Sequence, residues 1–161
     1  MKTKITIMLA IAVIFRIGMY EGCYSPTPQQ PAENLGQDGI DFHNRKFIVI
    51  NVVDGDTVDI ALALDDPNTT RIRLLGVDTP ETKHPQMPVQ YFGPQATQFV
   101  AERVMNSEVT VRLDPASDIR GKYGRLLAYI ELPDSTDLGE QLLAHGLAYA
   151  YTQYPSSKRE L

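Results

Sequence analysis

The chain has 161 residues, 43% hydrophobic and 22% charged, which fits one globular domain with a core of ordinary size and some tail. Its formal charge of -5 is the wrong sign for a protein that grips nucleic acid by a broad basic surface. That weighs against a tight binder more than against a hydrolase, which needs positive charge only locally and draws part of it from a bound divalent cation.

Residues 1–22 read as an export signal or an uncleaved membrane anchor. Lys2 and Lys4 precede an apolar run from Ile5 to Phe15, short for a membrane span, while Arg16 and Glu21 sit awkwardly for cleavage. The chain is therefore expected to be exported, either secreted or attached to the cell envelope. Cys23, the one cysteine, follows Gly22 and precedes Ser25-Pro26-Thr27-Pro28, so no disulfide forms within the chain. It is either an incidental thiol or a lipid acceptor resembling that of bacterial lipoproteins, although Tyr20 and Glu21 depart from that pattern. From Tyr24 to about Arg45, Pro, Gln, Asn, Gly and Asp prevail, with few large apolar side chains to offset ordering entropy. Residues 23–45 thus read as a flexible linker, and the domain as residues 46–161.

Phe47 to Val53 is dense in β-branched residues; Asp54-Gly55-Asp56 gives a turn, and Thr57 to Leu62 largely alternates polar and apolar, so the pair predicts a hairpin. Asp65-Asp66-Pro67-Asn68 turns the chain again into a strand from Thr69 to Leu75. Asp54 is read here as a turn former. After a Pro-rich loop from Thr82 to Tyr91, Gly93-Pro94 opens a helix whose apolar stripe is Ala96, Phe99, Val100 and Val104. Val109, Val111 and Leu113 mark a fourth strand, and Leu126 to Leu132 a fifth. Asp137, with Glu140 three residues on, caps a second helix that Gly146 ends. Five short strands with a helix between the third and fourth match an OB-fold barrel, an α+β fold that is mainly β. Fold alone does not fix function.

The chemistry concentrates between Arg73 and Glu81. A strand ends there in Asp78-Thr79-Pro80-Glu81, because proline cannot continue a sheet. A guanidinium offers a rigid fork for phosphate, and Asp and Glu offer hard oxygens for a cation or a base for water. Asp56, Asp78, Glu81, Arg73 and Arg125 together supply charge for the non-bridging oxygens of a phosphodiester and an oriented water. The same residues also suit a turn, solvated loop acids and strand-edge charges. His43, His84 and His145 are too scattered for a zinc site and read as surface residues.

Three blocks carry a family likeness: Val53-Asp54-Gly55-Asp56-Thr57-Val58, Arg73-Leu74-Leu75-Gly76-Val77-Asp78-Thr79-Pro80-Glu81-Thr82, and Lys122-Tyr123-Gly124-Arg125 with Leu127-Ala128-Tyr129. In that order and spacing the sequence resembles the thermonuclease, or staphylococcal nuclease-like, family from about Lys46 to Tyr154. The resemblance implies that Asp56, Asp78 and the main-chain carbonyl of Thr79 bind Ca²⁺. It implies that Glu81 activates or orients water, and that Arg73 and Arg125 hold the scissile phosphate. It places Lys122 and Tyr123 on a neighbouring phosphate and Tyr154 at the base-binding end, with Thr152 where a second tyrosine is usual and Tyr151 beside it. The family's further C-terminal helix has no counterpart before Leu161.

The implied activity is that of a monomeric, Ca²⁺-dependent endonuclease on DNA and RNA. The rivals are a non-catalytic nucleic-acid-binding module and an adaptor domain tethered at the membrane through the N-terminus or Cys23.

Overall fold

A computed structural model describes residues 35–63, 67–83, 86, 88–153 and 155–158. The signal or anchor, Cys23, most of the linker, His84 and Tyr154 lie outside the described residues.

Strand β1 (Arg45–Asp54) is long enough to serve two neighbours. Its first half pairs antiparallel with β5 (Glu108–Arg112), Phe47 opposite Val109, and its second half with β2 (Thr57–Ala61). Two register shifts in β1, between Val49 and Asn51 and between Val52 and Asp54, accompany this change of partner. An extra residue in one strand bends it and sharpens its twist, which is what a closing sheet needs. Strand β3 (Thr69–Leu74) continues antiparallel from β2, with Thr57 opposite Arg73, and then runs parallel to β6 (Leu126–Glu131), Arg73 opposite Leu127. β5 and β6 pair antiparallel, which closes the barrel in the order β1-β2-β3-β6-β5. This is the OB-fold that the sequence predicts.

Alternation along each strand sends one set of side chains inward. Val49, Val58, Ile60, Ile72, Val109, Val111, Leu126 and Ile130 are fully or almost fully buried, each worth about 1.5–3 kcal/mol relative to exposure. Helix α2 (Gly93–Val104) adds Ala96, Val100 and Val104 to this core, and α3 (Leu138–Ala144) adds Leu138 and Leu142. Pro94 sits in the first turn of α2, where a missing N–H costs nothing. The Asp137 carboxylate accepts from the Glu140 amide at 3.0 Å and so caps α3 as its sequence predicts. Two short strands, β4 (Val77–Asp78) and β7 (Tyr149–Ala150), pair outside the barrel and set Asp78 opposite Tyr149.

The linker reading fails from Leu35 onward. Helix α1 (Gly36–Phe42) precedes β1, with Leu35 and Phe42 buried in the core and the Asn44 amide donating to the Val111 carbonyl at 2.8 Å. Two large apolar side chains, Leu35 at the N-cap and Phe42 at the end, dock this seven-residue helix, while its Ile40 stays exposed. His43 is also no plain surface residue: its Nδ1 accepts from the Leu113 amide at 3.1 Å, and burial followed by the nearby Arg112 charge lowers its pKa.

At the other end Asp114, nearly buried, accepts from the Ala116 and Ser157 amides and from the Ser157 and Tyr129 hydroxyls. Burial alone would raise its pKa, but these donors, the Ser157 and Ala116 amides first, outweigh it and hold the carboxyl below its ordinary value. A carboxyl with a lowered folded pKa adds stability that is complete above about pH 4 and is lost as pH falls through the folded value. Asp114→Asn is therefore expected to cost about 2 kcal/mol at pH 7 and less at pH 3. Urea melts at both pH values check this, and an equal cost at both would contradict it.

Candidate active site

One end of the barrel gathers the charged residues. The turn Gly55-Asp56 joins β1 to β2 and brings Asp56 beside the end of β3, where the Leu74 amide donates to the Asp56 carbonyl at 2.8 Å. The Asp56 side chain is buried. Its Oδ1 accepts from the Thr57 hydroxyl at 3.0 Å, and its Oδ2 accepts from the Thr79 amide at 2.9 Å and hydroxyl at 3.1 Å. The Arg73 guanidinium, only 15% exposed, spans two carboxylates: Nη1 pairs with Asp56 Oδ2 and Nη2 with Asp78 Oδ1. Asp78 is half exposed at the edge of β4.

This close fit needs Gly55. A Cβ there would lie 2.8 Å from both Ala96 Cβ of α2 and Thr79 Oγ1, so any side chain would push the turn off the helix. The glycine is required by close approach, since its φ is not left-handed.

Glu81 follows on the loop after β4. Its backbone is pinned on both sides by Gln90, whose Oε1 accepts from the Glu81 amide at 2.8 Å and whose amide donates to the Glu81 carbonyl at 2.9 Å. Its carboxylate accepts from the Thr82 and Lys83 amides at 3.1 and 2.9 Å. Arg125 immediately precedes β6 and, through the parallel pairing of β3 with β6, lies on the same side as Arg73. Among the described residues its buried Nε has no hydrogen-bond partner, and its guanidinium carbon sits 5.5 Å from the centre of the Tyr123 ring. Lys122 Nζ is 4.8 Å from the same ring, and Tyr123 is 71% exposed. Beside them a groove of about 510 Å³ is lined by Asp59, Thr69, Arg71, Tyr123, Gly124 and Arg125.

Asp54 also belongs here, beyond the turn role that the sequence suggests. Its Oδ1 accepts from the Asp56 amide at 3.3 Å, as a turn former would. Yet its pKa is raised, first by burial and further by the Glu81 charge, against the pull of the Thr57 hydroxyl, Arg73 and Arg125. Asp54 therefore senses all three charged groups. The register could have revealed this: Asp54 opposes Thr57, and Thr57 opposes Arg73, so the three stand in a row across the sheet.

Asp54, Asp56, Asp78, Glu81, Arg73 and Arg125 thus share one locality, with Thr79 packed against Asp56 and with Lys122 and Tyr123 at its rim. Among the described residues, no three His, Cys, Asp or Glu side chains converge as a ready metal cage.

The family model for staphylococcal nuclease homologues matches residues 71–161, more than half of the chain. The chain belongs to that family. It is 35% identical over 152 residues to a thermonuclease of Staphylococcus intermedius, covering 94% of this chain and 82% of that protein. Two Bacillus subtilis proteins, the endonuclease YncB and the SPbeta prophage-derived endonuclease YokF, are 39% and 40% identical over 107 residues. That stretch is 66% of this chain, but 48% of YncB and 34% of YokF. As in any staphylococcal nuclease homologue, activity must be argued from the site, since a shared fold does not carry it.

Proposed function

We propose that this chain is a Ca²⁺-dependent endonuclease that hydrolyses phosphodiester bonds of DNA and RNA with little sequence preference. The observation that carries the reading is the placement of Arg73 between Asp56 and Asp78, with Glu81, Arg125 and Asp54 gathered around the same barrel end. Names of the relatives, thermonuclease and endonuclease, support the reaction class. The donor set suits calcium: hard oxygens throughout, and four carboxyl groups against two guanidiniums, which leaves negative charge in excess. Asp56, Asp78 and the Thr79 carbonyl would hold Ca²⁺, which when bound supplies positive charge to the phosphate oxygens.

The chain's own residues do the rest. Arg73 and Arg125 stabilise the charge that grows on the non-bridging oxygens as the water oxygen bonds to phosphorus and the ester P–O bond breaks. Glu81, its carboxylate fixed by the Thr82 and Lys83 amides, orients that water and takes its proton. Lys122 and Tyr123 hold a neighbouring phosphate from the rim. Contacts that go mainly to phosphate carry no sequence information, so little preference follows. Export fits Lys2, Lys4 and the apolar run behind them, and would bring the enzyme to nucleic acid outside the cell.

The test is digestion of single-stranded DNA, duplex DNA and RNA with Ca²⁺, then with chelator, then with Ca²⁺ restored. Cleavage of all three is expected, lost on chelation and regained with the ion. Cleavage indifferent to chelation would defeat the metal assignment, and no cleavage of any substrate would defeat the function.

A further inference from the structure

Helix α1 reaches the site through one side chain. Arg120 starts the loop that carries Lys122, Tyr123 and Arg125, and bridges across it to Leu126. Its Nε and Nη2 donate to the two carboxylate oxygens of Asp38 on α1, at 2.8 and 2.7 Å. Its Nη1 donates to the Gly124 carbonyl at 3.0 Å, and that carbonyl belongs to the peptide leading into Arg125. One rigid planar fork therefore ties a helix to a loop, which a lysine at this position could not do.

Among the described residues the loop has few other ties. The Gly121 amide donates to the Arg125 carbonyl at 2.9 Å and the Gly124 amide to the Gly121 carbonyl at 2.8 Å, while Lys122, Tyr123 and Gly124 stay exposed. Gly124 takes a left-handed φ of 73°, so the turn just before Arg125 depends on a residue with wide backbone freedom. Helix α1, by contrast, is anchored. Phe42 is buried, packs against Phe47 with ring centres 5.6 Å apart, and has the Arg120 guanidinium 5.7 Å from its own ring centre. The Asp38 and Arg120 side chains are 28% and 38% exposed, a setting in which an ion pair adds little stability but a two-pronged one fixes direction.

We propose that Asp38 and Arg120 are positioning residues: α1 braces the 120–126 loop through Asp38, Arg120 and the Gly124 carbonyl, and so sets the aim of Arg125. The brace stands on geometry; its effect on hydrolysis rests on the nuclease reading above.

Amide exchange on the full chain tests the brace without any substrate. In Asp38→Asn and in Arg120→Ala, the Gly121 and Gly124 amides are expected to exchange roughly tenfold faster than in the parent. The double variant should go no further than either single one, and the barrel amides of Ile72 and Ile130 should be unchanged. Loop exchange equal to the parent overturns the proposal, and so does a speeding spread evenly over the barrel, which would report a general loss of stability.

Steady-state cleavage of a single-stranded oligonucleotide with Ca²⁺ then tests the consequence. Arg120→Ala is expected to lower kcat about five- to tenfold at nearly constant KM, as a small misplacement of a charged group does. Placed in an Arg125→Ala background it should lower kcat no further, because the residue it aims is gone. Equal fold-losses in the two backgrounds overturn the proposal. A parent chain that cuts nothing would sink the nuclease reading alone, and the exchange data would still decide the brace.

Discussion

Glu81→Gln is expected to reduce kcat by about 10²- to 10⁴-fold, the range lost when a positioned general base is removed. The change keeps the shape of the side chain and an oxygen for the Thr82 and Lys83 amides, so the loop that Gln90 holds from both sides should stay in place. Binding of a single-stranded oligonucleotide should accordingly survive, because Arg73, Arg125, Lys122 and Tyr123 are untouched. Turnover and binding measured on the same preparation separate the outcomes. Turnover within twofold of the parent would remove Glu81 from the reaction, and loss of both together would point to a collapsed loop.

The second large effect is on stability as well as on rate. Arg73→Met should lower kcat roughly 10²- to 10³-fold by removing a donor to the charge that develops in the transition state. It also strips the counter-charge from Asp56, which is 6% exposed, and an unpaired buried carboxylate costs about 3–5 kcal/mol. Three hydrogen bonds from Thr57 and Thr79 remain, so the lower end of that range is expected. Because a bound ion stabilises whichever state binds it, Ca²⁺ should raise the urea midpoint of this variant by more than it raises that of the parent. Denaturation curves with and without Ca²⁺ supply the check. A variant as stable as the parent in chelator would mean that the Arg73 to Asp56 pair carries no weight.

The barrel was legible because its strands follow simple rules. Val49, Val58, Ile60, Ile72, Val109 and Val111 recur at the alternation that a half-buried strand requires, Leu126 to Ile130 is a short continuous apolar run, and Pro94 and Asp137 mark the starts of α2 and α3. Helix α1 was not legible. Between Gly36 and Phe42 only Ile40 and Phe42 are large and apolar, Ile40 is exposed, and Leu35 at the N-cap makes no capping bond, so composition alone resembles a linker. What makes those residues a helix is the core surface waiting for Leu35 and Phe42, which no local pattern announces. The site divides in the same way. Arg73, Asp78 and Glu81 lie close in sequence, whereas Asp54 differs from an ordinary turn former only through side chains that other strands deliver. Arg120 carried no signal at all, because its two partners are 82 and 4 residues away in the chain.

The parallel seam between β3 and β6 has one more consequence. Arg73 lies next to the end of one strand and Arg125 introduces the other, and the chain between them includes α2 and β5. Contacts so distant in sequence are slow to form, since the loop must be closed before they repay its entropy. A half-folded chain therefore owns both guanidiniums but no cutting centre, and the return of hydrolysis during refolding would time the zipping of that seam.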